Sequence, residues 1–277
     1  MKSVMSSLTN KLLILILIAL SMLLLSACGR GAGTAVILAG STSVQPYAEL
    51  LAEQYSADFP DRAVDVQGGG SSTGIRAAQS GTANIGMSSR NLTEEEQEMW
   101  HIVIAKDGLV LIVHPENPVS SLTLEDVRRI YTGEVTNWHA LGGQDRSIHI
   151  ITREEGSGTR GAFEDMIMDG RLITPRAIVQ NTNGSVRQLV SNDIDSIGFL
   201  SLGLVNDTVK ALELDGVAPS WGNVMSGEYT LYRPFFFVSN EEPTDMVKSF
   251  VDYTMSEEGQ RLLMIEGLIA GINEVGR

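Results

Sequence analysis

The chain has 277 residues, with 34 Asp and Glu against 20 Lys and Arg, four His and one Cys. A net charge of −14 counts against nucleic acid and anionic lipid headgroups as partners. A single cysteine excludes an internal disulfide, and His101, His114, His139 and His149 show neither the HExxH spacing nor the close pairing of a metal site, so no metal and no cofactor is expected.

Lys2 and Lys11 make a basic start, and Leu12 to Leu25 follows as 14 almost wholly apolar residues. That is short of the about 20 needed to span a bilayer and matches the core of a secretory signal peptide. It ends in Leu25-Ser26-Ala27-Cys28, which resembles the lipobox of bacterial lipoproteins. The resemblance implies that residues 1–27 are removed and that Cys28 becomes a lipidated N-terminus, anchoring the protein on the extracytoplasmic face of the membrane. The remaining 250 residues suffice for two domains, and losing Lys2 and Lys11 moves the net charge to −16.

After a linker (28–34), strand and helix patterns alternate, which argues for a mostly parallel sheet flanked by helices. Strands are expected at 35–39, 63–67, 83–87, 101–105 and 109–113, the last two separated by a turn at Asp107-Gly108. Helices are expected at 44–57, 72–80 and 93–100, the last opened by a Thr93/Glu96 capping box. His114-Pro115-Glu116-Asn117-Pro118 breaks the pattern and reads as a crossing point. Beyond it come a helix at 124–132 capped by Thr123, a strand at 147–152, helices at 158–168 and 184–192, and a strand at 196–200. The β-prone run YTLYRPFFFVS (229–239) precedes a helix from Pro243 to Met255 and a last one at 257–266.

Three Gly/Ser/Thr clusters fall where a strand turns into a helix: Gly40-Ser41-Thr42-Ser43, the run Gly68 to Gly74, and Arg153 to Arg160. A helix start carries about half a positive charge and free N–H groups, so each cluster is a ready anion site, and three in one chain suggest a shared anion. An acidic surface does not oppose this, because local dipoles and one arginine decide a buried site. Arg153 offers a planar fork of donors suited to a tetrahedral oxyanion, with hydroxyls at Ser157 and Thr159 and close backbone approach at Gly158. Each cluster read alone also fits a helix cap beside a surface ion pair.

Taken together the segments GSTSV (40–44), GGGSSTG (68–74), IGMSSR (85–90) and REEGSGTR (153–160), with VTNW (135–138) and SIGFLSL (196–202), resemble the phosphate-binding proteins of bacterial phosphate ABC importers. The similarity runs in order through essentially all of the chain after the leader. It implies the two-lobed type II periplasmic-binding fold, each lobe a mostly parallel sheet flanked by helices, joined by two crossover strands. Lobe one would combine 35–113 with 228–277, and lobe two would be 114–227. Carried over by position, Thr42, Ser43 and Ser71 would donate to phosphate from one lobe, and Arg153, Ser157, Gly158 and Thr159 from the other. Glu155 would orient Arg153, with Ser72 and Arg90 behind the ligand. Ser89 stands where the best-known branch of the family has an aspartate that accepts the proton of hydrogen phosphate, so another acceptor is needed, Glu154 or a backbone carbonyl. The partners implied are inorganic phosphate, the transmembrane subunits of an ABC permease and, through Cys28, the membrane, with the receptor itself a monomer.

Two rival readings remain open. Sulfate, molybdate or tungstate would also suit helix-start amides and hydroxyls. Gly70-Ser71-Ser72-Thr73-Gly74 fits the GxSxG elbow of a serine hydrolase, although the only histidines after it are His101, His114, His139 and His149 and no HGGG element is present.

Overall fold

The computed structural model describes residues 35–271 and 275–276; the expected signal peptide, Cys28 and the linker to 34 lie outside the described residues. The chain opens with β1 (Val36–Gly40), α1 (Gln45–Asp58), β2 (Val64–Gly68), α2 (Ser71–Gln79), β3 (Ile85–Ser88) and the long β4 (Trp100–Val113). It continues with β5 (Ser121–Leu122), α3 (Leu124–Thr132), β6 (His149–Arg153), α4 (Gly158–Phe163), β7 (Ile178–Gln180), α5 (Asn183–Asn192) and β8 (Ser196–Ser201). Then come β9 (Lys210–Ala211), β10 (Glu213–Leu214), α6 (Trp221–Ser226), β11 (Tyr232–Ser239), α7 (Asp245–Met255), α8 (Glu257–Ile265), β12 (Ile269–Ala270) and β13 (Val275–Gly276).

One curled sheet runs through the molecule in the order β2-β1-β3-β11-β4-β8-β6-β7. Pairing is parallel among β1, β2 and β3 and among β6, β7 and β8, as expected for strands joined by crossover helices. It turns antiparallel where β11 meets β3 and β4, and where β4 meets β8. Two apolar cores flank this sheet. Ile102, Ile104 and Ala105 of β4 pack with Leu38, Tyr55, Phe235 and Phe250. Leu109, Leu111 and Val113 of the same strand pack with Tyr131, Trp138, Phe163 and Phe199. Phe163 and Phe199 stack at 4.1 Å between centroids, worth about 1 kcal/mol beyond the area they bury. β4 therefore belongs to both lobes and passes between their cores at Asp107-Gly108.

That passage corrects the expectation of a turn there. Asp107 and Gly108 pair with Arg233 and Tyr232 of β11 in an unbroken strand. The aspartate is fully buried against an arginine instead of capping a turn, and a Cβ on Gly108 would lie 3.0 Å from Leu202 Cδ2. The helix expected at 93–100 shrinks to a single 3-10 turn at Glu96–Glu98, although Thr93 and Glu96 exchange their capping bonds. Positions 93–98 carry no apolar side chain, so a longer helix would bury nothing, while Trp100 and His101 are drawn into β4 opposite Ser239 and Val238. The helix expected from Pro243 starts at Asp245 with Thr244 as its N-cap residue. The helix expected at 158–168 is α-helical only to Phe163 and continues as a π-helix over Glu164–Met168; elsewhere the expected elements form within two or three residues, including the Thr123/Asp126 capping box of α3. Among the described residues no helix is long and apolar enough to cross a membrane.

Candidate functional site

The site lies at the ends of β1, β2, β3 and β6, where α1, α2 and α4 begin after β1, β2 and β6. In the first lobe its shape depends on glycine. A Cβ on Gly74 would come 2.3 Å from Ala39 O, and one on Gly86 would come 2.6 Å from Gly74 O. Without those side chains α2 lies directly on β1 and β3, which brings Ser71 to the end of β3. Ser71 Oγ accepts the Ser89 N–H at 3.1 Å. Ser41 Oγ accepts the Ser43 N–H at 3.1 Å and donates to Ser89 Oγ at 2.7 Å. One lone pair of Ser89 is thus occupied, and its own proton is left to donate. Ser41, Ser43, Ser71 and Ser89 are all buried.

The second lobe supplies Arg153 from the end of β6, only 1% exposed. Its Nε donates to Glu154 Oε2 at 2.9 Å and Gln180 O at 3.1 Å. Its Nη2 donates to Glu154 Oε1 at 3.0 Å, Asn181 O at 3.1 Å and, across the lobes, Thr42 Oγ1 at 3.2 Å. Its Nη1 is buried without a partner. A buried guanidinium held by a carboxylate fork and two carbonyls, with one donor edge free, is built to meet an anion. The carboxylate is Glu154; Glu155, expected in that role, is exposed. Glu154 gives both oxygens to the arginine, and its side chain is only partly buried.

Ser157 caps α4 by accepting the Arg160 N–H at 3.3 Å. Thr159 Oγ1 lies 2.8 Å from Ser43 Oγ, and Ser72 N donates to Gly156 O at 3.1 Å, so the lobes touch here. Gly158 is the tightest point: a Cβ would lie 2.1 Å from Ser71 Oγ and 2.6 Å from Ser89 Oγ. Gly158→Ala is therefore expected to hold the lobes apart and weaken ligand binding about tenfold to a hundredfold by titration, with little loss of stability.

The structure brings Thr42, Ser43, Ser71, Ser89, Arg153, Gly158 and Thr159 into one cluster, with Ser157 at its edge. Arg90 stands outside it. Its guanidinium makes a fork with Glu96 (2.7 and 2.8 Å) and donates to Ser72 Oγ at 3.3 Å. The bond from Arg90 holds the Glu96 carboxyl below the usual carboxylate range. Ser72, Arg90 and Glu155 line a neighbouring cleft of about 680 Å³ instead.

Four residues of this neighbourhood were not singled out from sequence. Ser41 fixes Ser89, as described. Asn183, 2% exposed at the first turn of α5, donates through Nδ2 to Ser43 Oγ at 2.9 Å and Thr42 Oγ1 at 3.5 Å. Arg233, on β11, donates from Nη2 to Ser43 Oγ at 3.1 Å and pairs with Asp107 through Nε (3.1 Å) and Nη2 (2.9 Å). Burial pushes the Asp107 carboxyl up and the Arg233 guanidinium down, each opposed by the other's charge. A signal for Asn183 was present: Thr182-Asn183-Gly184-Ser185 is a fourth small polar cluster between a strand and a helix.

The hydrolase reading needs a base beside Ser72, and three of the four histidines are engaged elsewhere. His101 Nδ1 meets Met99 O, His114 Nδ1 accepts from Glu116 N, and His149 Nδ1 lies 2.6 Å from Asp193 Oδ2. Among the described residues His149, Asp193 and Asp195 form the one group with metal-ligand geometry, a proximity the histidine spacing did not reveal. Asp195 there already pairs with Arg146 at 2.7 Å.

Two α/β lobes sharing crossover strands, closed over a buried arginine and a ring of hydroxyls, define a two-lobed anion-binding protein. A model of the PBP superfamily domain matches residues 28–258, and the chain belongs to that superfamily and, within it, to the PstS phosphate-binding proteins. The phosphate-binding protein PstS of Bacillus subtilis is 30% identical over 93% of this chain and 92% of its own length. A putative phosphate ABC transporter substrate-binding protein from Clostridium perfringens, solved with bound phosphate, is 40% identical. It superposes with a TM-score of 0.83 over 86% of this chain and 99% of its own. An ABC-type phosphate transport receptor from Vibrio cholerae is 36% identical, with a TM-score of 0.72 over 86% of this chain and 100% of its own.

Proposed function

We propose that this chain is an extracytoplasmic receptor that binds inorganic phosphate between its lobes, without chemical change, and delivers it to an ABC-type phosphate permease. The observation that carries the reading is Arg153, a buried guanidinium with Nη1 unpaired, whose Nη2 reaches Thr42 Oγ1 of the opposite lobe. Thr42, Ser43, Ser71, Ser89, Ser157, Gly158 and Thr159 complete the donor set around the anion. Relatives named as phosphate-binding proteins along nearly the whole chain support phosphate over other oxyanions, and the family is one of binding proteins, not enzymes. Lobe one is 35–113 with 228–277 and lobe two 114–227, with β4 and the return through β11 as hinge strands. Protein purified from cells and then denatured should release one equivalent of phosphate; release of none, from protein that was folded before denaturation, contradicts the reading.

Cys28 carries the lipid that keeps the monomeric receptor beside its permease. Cys28→Ser is expected to lose incorporation of labelled fatty acid and to leave the membrane fraction. Retention of both in the variant would refute the anchor.

A further inference from the structure

The inference concerns how this site tells phosphate from sulfate, and it rests on the phosphate-receptor reading. A hydroxyl has two lone pairs and one proton, so a hydroxyl receiving two N–H donors must itself donate. Ser43 Oγ receives Asn183 Nδ2 and Arg233 Nη2, which commits its proton outward, towards Thr159. Thr42 Oγ1 receives Arg153 Nη2 and Asn183 Nδ2. Ser41 receives two backbone amides and passes its proton to Ser89. Arg153 Nη1 is another donor. These donors by themselves suit any tetrahedral dianion and do not reject sulfate.

One buried atom in the cluster has the opposite character. Asn183 Oδ1 has no hydrogen-bond partner, and its residue is 2% exposed. It shares an amide with the nitrogen that reaches Thr42 and Ser43, so it lies at the same cluster. Glu154 is charge-paired with Arg153 and partly exposed, and Ser89 already accepts from Ser41, whereas Asn183 Oδ1 is buried with no partner at all, which makes it the acceptor in reserve. We infer that Asn183 is the specificity-determining residue: its carbonyl oxygen accepts the proton of hydrogen phosphate, and sulfate, which has no proton to give, leaves that oxygen unpaired against a sulfate oxygen. A neutral acceptor does this without adding a negative charge beside a dianion.

The test is titration of the full-length chain in detergent, as wild type, Asn183→Ala and Asn183→Asp, with phosphate and with sulfate at neutral pH. Wild type is expected to favour phosphate strongly. Asn183→Ala should lower the phosphate-to-sulfate affinity ratio roughly ten- to hundredfold, the effect of removing one buried acceptor. Asn183→Asp keeps an acceptor and should hold or raise the ratio, which separates acceptance from mere loss of packing. If both variants weaken the two anions in proportion, or if wild type binds sulfate as well as phosphate, the role of Asn183 is overturned while the receptor reading stands. If wild type binds no phosphate, the receptor reading itself fails. Should Asn183→Ala not fold, a ratio in Asn183→Asp lowered as far as tenfold would still overturn the inference, and a retained ratio would support it.

Discussion

Arg153→Gln should abolish useful phosphate binding, with affinity falling by a factor of about a hundred to several thousand. The guanidinium is 1% exposed with Nη1 unpaired, as Arg233 Nη1 also is, so its interaction with a dianion is little screened. Removing one partner of a buried, hydrogen-bonded charge pair typically costs about 3–5 kcal/mol. The substitution acts twice, since Glu154, now neutralised by Arg153 Nε and Nη2, would be left as an uncompensated carboxylate near the anion. Arg153→Lys restores the charge but not the fork, because an ammonium cannot satisfy Glu154, Gln180 O and the ligand together. It should therefore fall between wild type and glutamine. Calorimetric titration of the three proteins checks the order. Phosphate affinity in Arg153→Gln within threefold of wild type would remove Arg153 from the site.

The second large effect is on stability. Asp107→Asn should lower the free energy of unfolding by about 3–5 kcal/mol, because it leaves Arg233 as a buried charge without a counter-charge. Asp107 is fully buried and Arg233 is 2% exposed. Asp107 Oδ2 receives both Arg233 Nε and Nη2, and its Oδ1 receives Ser201 Oγ at 2.8 Å. For a domain pair of this size each kcal/mol is worth about 2–4 °C, so Tm should drop by about 10 °C. Because Arg233 also donates to Ser43, phosphate affinity should fall with it. The position matters: Asp107 and Arg233 face each other on the two hinge strands, where β4 leaves one core and enters the other. A thermal melt in which Asp107→Asn loses less than about 2 °C would show that the pair does not hold the hinge.

The difference between these two arginines shows how far the sequence could be read. Arg153 was legible because it sits in a local pattern, a strand followed by Ser157, Gly158 and Thr159, whose chemistry is complete within eight residues. Arg233 has no local pattern. Its partner is 126 positions away in sequence, and Asp107-Gly108 carries the composition of a turn. Only the register of β11 on β4 shows that the aspartate is buried. The same limit explains Glu154 and Glu155. Both follow Arg153, and the one that turns back is chosen by the path of the loop after β6, which brings Gln180 O and Asn181 O to the same guanidinium. The alternation of strands and helices was legible because each crossover helix keeps an apolar face. The segment 93–98, with cap residues but no such face, was overread. Asn183 was within reach, since its cluster repeats the pattern of the other three.

The central claim, an anion held by Arg153 and the hydroxyls of both lobes, is tested most directly by calorimetric titration of residues 29–277, unfolded and refolded to strip any bound ligand. Phosphate, sulfate and molybdate are added in turn near neutral pH. The account predicts tight one-to-one binding of phosphate and no comparable heat from sulfate or molybdate. Preferential binding of sulfate or molybdate would contradict the ligand, and no heat from any of the three, in a protein whose fold has returned, would contradict the site.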